Sequence, residues 1–190
     1  MKVADTKKLA NRPEATPPRQ ADFDALYRAH VHFVWRSLRR LGVREAALED
    51  ATQEVFLVVH RRFQDFRSGP TEKAWLFAIA LRVASDQRRW VRRKGNLAPL
   101  REELIEGASS PLDGAIQREA SDLVLAFLER LDEARRSAFI LCELEQMTGT
   151  EASAALGISS NTYFSRVYSA RKAFATFLQE RGISAQESSP

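Results

Sequence analysis

Between Asp22 and about Lys94, apolar side chains recur every three or four positions. There is neither strand alternation nor an Asn-Gly hairpin signal, so the pattern predicts helices. Phe23, Leu26, Tyr27, His30, Val34, Leu38 and Leu41 form one stripe, and Gly42 supplies a stop. A second helix is predicted over about Glu45 to Arg62, with Leu48, Ala51, Val55, Phe56 and Val59 on one side. Asp50, Gln53, Glu54, Leu57 and Arg61 fall on the other. A third, over about Glu72 to Arg93, repeats the division with opposite charge. Its inward stripe is Leu76, Ile79, Ala80, Val83 and Trp90, and its outward one Arg82, Ser85, Arg89, Arg92 and Arg93.

A second helical block spans residues 115–181. Within it Thr148-Gly149-Thr150-Glu151 fits a capping box, in which the threonine hydroxyl and the glutamate carboxylate satisfy each other's exposed amides. Ala152, Ala155 and Leu156 then form an inward face, Gly157 permits a left-handed turn, and Ile158 anchors the corner. Ser159 or Ser160 caps a longer helix. On that helix Tyr163, Val167, Ala170, Phe174, Phe177 and Leu178 make the core stripe. Asn161, Phe164, Ser165, Tyr168, Ser169 and Lys172 point outward, with Arg166 and Arg171 at the margins. The whole is helix-turn-helix grammar, which serves either as a DNA reader or as a packing hairpin.

The remaining stretches punctuate these blocks. Residues 1–21 are polar with three prolines, which predicts a flexible tail. Residues 95–114 concentrate glycine, proline, serine and acids and read as a linker; residues 182–190 close the chain as a short tail. With no repeat of fixed period, the expected architecture is all-α: two small helical domains, residues 22–94 and 115–181, on a flexible tether.

Bulk chemistry changes this picture only by exclusion. The 190 residues carry a formal net charge of +4, a mild bias toward polyanions. Cys142 is the single cysteine, so no intrachain disulfide framework or zinc module is expected. No apolar run reaches the ~18 residues of a membrane span, and the polar N-terminus lacks a signal-peptide core, so a cytoplasmic location is expected. His30, His32 and His60 form no metal pair, Asp50 and Glu54 have no partnered base, and no glycine-rich loop follows a strand. No enzyme, cofactor or metal is therefore expected. The arginine row on the third helix suits phosphate tracking, although it equally complements the macrodipole at a helix C-terminus.

Taken in order, these segments resemble the extracytoplasmic-function (ECF) sigma factors, small members of the bacterial sigma-70 family. DATQEVF, beginning at Asp50, is similar to that family's D-x-x-Q-[ED]-x-F signature. AWLFAIALRVASDQRRWVRRK, from Ala74 to Lys94, resembles the helix that follows it. LDEARRSAFILCELEQMTGTEASAALGISSNTYFSRVYSAR resembles the family's second-domain pattern. The resemblance covers about Phe23 to Phe177 and rests on the order and spacing of the three pieces.

It implies a role for each outward face. Asp50, Gln53, Glu54, Leu57 and Arg61 would dock on a basic coiled coil of core RNA polymerase. Phe66 and Arg67, in the loop after the second helix, would capture an extruded base of the minus-10 element, and Arg82, Arg89, Arg92 and Arg93 would hold the adjacent DNA. Ser165, Tyr168, Ser169 and Lys172 would read the minus-35 element, with Arg166 and Arg171 on phosphates. Promoter melting would need no nucleotide hydrolysis, and an anti-sigma protein is an expected partner.

Departures at five positions alter these expectations. Arg82 stands where asparagine is usual, Ser153 replaces an apolar residue, Tyr163 replaces a valine, and Phe164 and Ser169 stand where basic residues are frequent. The reading face is thereby less cationic, which favours shape and thymine methyls over phosphates. The competing reading is an autonomous helix-turn-helix regulator that binds DNA without polymerase.

Overall fold

The computed structural model describes residues 20–63, 72–93 and 111–183, with side chains omitted at 20–21 and 111–118. Three long helices come first: α1 (Gln20–Arg40), α2 (Glu45–Arg62) and α3 (Glu72–Arg93). α4 (Pro111–Arg130), α5 (Glu133–Phe139), a π-helical turn over Ile140–Leu144, α6 (Gly149–Leu156) and α7 (Ser160–Gln179) follow. Among the described residues there is no strand, as the hydrophobic periodicity requires.

α1, α2 and α3 pack mutually around a core in which Val34, Leu38, Ala51, Val55, Val59, Leu76, Phe77 and Ala80 are wholly buried. Gly42 turns the chain at a φ of 86°, a left-handed conformation that favours glycine. The predicted bounds of α2 and α3 match the observed ones, because each begins with an acid and ends in basic residues that complement the macrodipole.

The predicted stripes need correction at three points. Tyr27 is 42% exposed and meets Phe56 edge-on at 4.7 Å, while Phe33 and Ser37 carry the burial on α1. His30, expected in the core, lies at its margin and bonds the Glu72 carboxylate at 2.9 Å. Trp90 has the phase of the α3 core stripe but is 49% exposed. α1 has already ended there, so the indole lines a shallow groove with Val43, Ala46, Ala47 and Val91.

In the second half α4 begins at Pro111, four residues inside the stretch read as linker. Proline suits a first helical turn, where its missing N–H is not needed. Phe127 centres an aromatic cluster, with Phe139, Phe174 and Phe177 at centroid distances of 5.1, 4.8 and 5.3 Å. α5 is capped by Asp132, whose carboxylate accepts the Arg135 amide at 2.8 Å. The capping box at Thr148 and Glu151 starts α6, Gly157 ends it at a φ of 64°, and Ser159 rather than Ser160 caps α7. Ser153, where an apolar residue is usual, is buried with its hydroxyl donating to the Thr150 carbonyl at 3.1 Å, so the substitution is accommodated.

The halves also touch. α3 packs on α6, and the Arg136 guanidinium bridges the Leu128 and Leu131 carbonyls of its own half, at 2.7 and 3.0 Å, to the Leu41 carbonyl at 3.1 Å. Arg40 pairs with Glu145 at 2.5 Å, and Arg88 with Glu133 at 2.5 Å.

Candidate functional site

α2 carries two chemically distinct faces because its apolar side is consumed by α1 and α3. Ala51 and Val55 are fully buried, and Thr52 returns its hydroxyl to the Leu48 carbonyl at 2.7 Å. Asp50, Gln53, Glu54 and Arg61 are all exposed on the opposite side. Leu57 lies among them with 57% of its surface in water. An apolar side chain ringed by an acid pair and an amide on a rigid helix is an arrangement suited to a basic partner with an apolar contact at its centre.

α3 holds Arg82, Arg89, Arg92 and Arg93 exposed. Arg89 donates to Asp86 one turn back at 2.6 Å, so a phosphate there competes with an internal carboxylate. Phe66 and Arg67 lie outside the described residues. Ser85, on the same face, is half-buried with its hydroxyl 3.4 Å from the Glu133 carboxylate.

On α7 Ser165, Tyr168 and Lys172 are exposed, Tyr168 by 73%. Arg166 and Ser169 are half-buried at the edges. Arg171 is exposed but paired with Glu143 at 2.8 Å, and that carboxylate holds its guanidinium pKa above the ordinary value. Phe164, 55% exposed, lays its ring over Gly149, where a Cβ would come within 2.6 Å of it. Its ring thus ties the start of α6 to the reading face, and a Cβ at position 149 would require the ring to shift. Tyr163 is buried beside Cys142, and burial pushes both the phenol and the thiol upward. A protonated, half-buried thiol is a packing group rather than a nucleophile.

Sequence reasoning placed the outward faces but missed Arg88. It lies on the flank of the arginine row, one turn before Arg92, and its i, i+4 spacing from Ala84 gave no hint that it faces another part of the chain. Among the described residues no group of three or more potential ligands could hold a metal ion, and no helix is long and apolar enough to cross a membrane.

Comparison with known proteins agrees with this geometry. Residues 26–94 match the family model described as sigma-70 region 2, and residues 121–174 match sigma-70 region 4. RNA polymerase sigma factor NccH of Alcaligenes xylosoxydans xylosoxydans is 30% identical over 86% of this chain and 90% of its own. Among solved structures, CnrH in complex with the cytosolic domain of CnrY superposes with a TM-score of 0.65 at 25% identity, covering 85% of this chain and 90% of that one. The sigma factor RpoE with the anti-sigma factor NepR from Bartonella quintana shares the fold, with a TM-score of 0.64 at 23% identity over 83% and 97% of the two chains. The chain belongs to the extracytoplasmic-function sigma factors of the sigma-70 family and is an RNA polymerase sigma factor. Its partners are accordingly core RNA polymerase and promoter DNA.

Proposed function

We propose that the α2 face of Asp50, Gln53, Glu54, Leu57 and Arg61 is the surface on which this sigma factor docks to core RNA polymerase. The observation that carries it is Leu57, left 57% exposed beside Gln53 and Glu54 although every other large apolar side chain of α2 is buried or half-buried. Arg82, Arg89, Arg92 and Arg93 follow the phosphates next to the minus-10 element, with Phe66 and Arg67 at the extruded base. Ser165, Tyr168, Ser169 and Lys172 meet the base edges of the minus-35 element, and Arg166 and Arg171 clamp its backbone. The protein initiates transcription in the cytoplasm by stabilising the separated non-template strand and performs no catalysis of its own. An anti-sigma partner fits the same reading, since the two structural neighbours were solved with partner proteins bound, one of them named an anti-sigma factor.

The test is a fluorescence-polarisation titration of labelled protein with bacterial core RNA polymerase, comparing wild type with folded Asp50→Arg/Glu54→Arg. The wild type is expected to bind tightly and the charge reversal to lose at least ~100-fold in affinity, the size expected for oppositely charged groups facing each other across an interface. Absence of binding by folded wild type would bring the autonomous regulator to the front.

A further inference from the structure

The first two turns of α7 carry little positive charge. From Ser160 to Tyr168 the single cation is Arg166, half-buried at the edge. Arg171, further along, spends its Nε on the Glu143 carboxylate at 2.8 Å, and the exposed Lys172 stands deeper still in the helix. What these turns offer instead is apolar surface. Phe164 is 55% exposed and Tyr168 73%. They stand four positions apart and so lie one above the other, on the face that also carries Asn161 and Ser165. The core has no need of either ring, since Tyr163, Val167 and Ala170 fill it from the opposite side.

The Phe164 ring is also held in place. Its Cζ, Cε2 and Cε1 atoms lie 2.6, 3.1 and 3.4 Å from where a Cβ on Gly149 would stand, so the ring edge rests on bare backbone. Its centroid is 5.3 Å from that of the buried Tyr163 ring, at 60°. α6 thus supports a ring that keeps more than half its surface in water. An aromatic ordered in advance loses little further freedom when a ligand group packs on it, and it gains the burial it lacks.

Major-groove chemistry says which group that is. Arginine forks read guanine and side-chain amides read adenine, whereas the apolar group on a base edge is the thymine methyl at C5. 5-Methylcytosine carries the same methyl on the same carbon. We infer that Phe164, with Tyr168 one turn on, is a specificity-determining residue that reads a pyrimidine 5-methyl group in the minus-35 element, and that Gly149 is the positioning residue that seats its ring. This rests on the placement of α7 at the minus-35 element proposed above. Recognition then responds to the methyl itself, which thymine supplies by sequence and 5-methylcytosine by modification of the DNA.

The test uses the complete chain bound to core RNA polymerase. This holoenzyme first selects a duplex from a library randomised across the minus-35 element. Each dT of the selected element is then replaced singly by dU, which removes the methyl and keeps every hydrogen-bonding group. One replacement is expected to weaken binding ~4-fold, the factor that burial of one such carbon contributes. Phe164→Ala, with its helical circular dichroism retained, is expected to bind the dT and dU duplexes equally. Gly149→Ala, which pushes the ring from its seat, is expected to cut the dT/dU ratio below ~2-fold without removing an atom from the reading face. To separate the two sources of the methyl, the sensitive dT·dA pair is changed to dC·dG. 5-Methyl-dC at that position is expected to bind ~4-fold better than dC in the wild type and no better in Phe164→Ala. A dU effect without this gain would assign the contact to thymine alone. A preferred sequence in which no dU replacement matters would overturn the methyl reading and leave the minus-35 assignment standing. So would a dU effect that survives in both Phe164→Ala and Tyr168→Ala, and an undiminished ratio in Gly149→Ala would overturn the positioning role. A holoenzyme that selects no preferred sequence there would remove the minus-35 assignment, and this inference with it.

Discussion

Asp132 shows how much a single side chain settles at this scale. Its carboxylate begins α5 with a charge-assisted bond from the Arg135 amide. That backbone bond, reinforced by the Arg135 guanidinium, holds the Asp132 carboxyl below its ordinary value of 3.8. A carboxyl with a lowered folded value stabilises the fold fully above its unfolded value and loses that contribution as pH falls through the folded one. Asp132→Ala is therefore expected to cost ~1 kcal/mol at neutral pH. In urea titrations the gap between variant and wild type should close as the pH drops below 3.8. A gap that stays constant down to acid pH would mean that the carboxylate charge contributes nothing to the cap.

Local rules of this kind are why much of the second half was legible from sequence. The capping box at Thr148, the left-handed Gly157 and the Ser159 cap each involve residues within three positions of one another, so their bonding is written in adjacent letters. Trp90 was misread for the opposite reason. Its phase on α3 is that of a core residue, and only the early end of α1 leaves it half in water. The π-helical turn at Ile140–Leu144 was equally invisible. Across it Ile140 and Leu141 are buried while Glu143 and Glu145 reach Arg171 and Arg40, tertiary contacts with no local signature.

At the scale of elements, α2 and α3 divide labour by charge although they share one core. In the proposed reading the acidic α2 face meets a partner of complementary charge, whereas the α3 arginines act through phosphates and release counterions when they do. Replacing Arg92 and Arg93 together by alanine is expected to weaken binding of the polymerase-bound protein to promoter DNA. The slope of log affinity against log salt concentration should flatten by ~1.8, or ~0.9 for each phosphate left without its arginine. Core polymerase affinity should be unchanged, because neither side chain belongs to the α2 face. A loss of affinity with an unaltered salt slope would place both arginines off the DNA backbone. Arg89 is a weaker probe than these two, since its bond to Asp86 must first be broken.

The whole molecule raises the question of whether its halves fold as one unit. The buried apolar residues of both halves belong to one cluster, and α3 packs on α6, with guanidinium groups, carboxylates and the Leu41 carbonyl adding polar bonds between the halves. Such a contact was not readable from sequence, because charge partners 45 and 105 positions apart leave no periodic trace. A coupling of a few kcal/mol is enough to merge two marginal transitions. The chain supplies its own reporter: Trp35, Trp75 and Trp90 all lie in α1 and α3, so indole fluorescence follows the first half alone. Helical circular dichroism follows both. In the wild type the urea transitions seen by the two probes are expected to coincide. In Glu133→Arg/Arg40→Glu, where like charges face each other at both pairs, they should separate, with the overall helical content before unfolding unchanged. Separated transitions in the wild type itself would mean that the halves are thermodynamically independent and that their contact adds nothing to stability; coincident transitions in both proteins would mean that coupling runs through the α3–α6 packing and not through the charges.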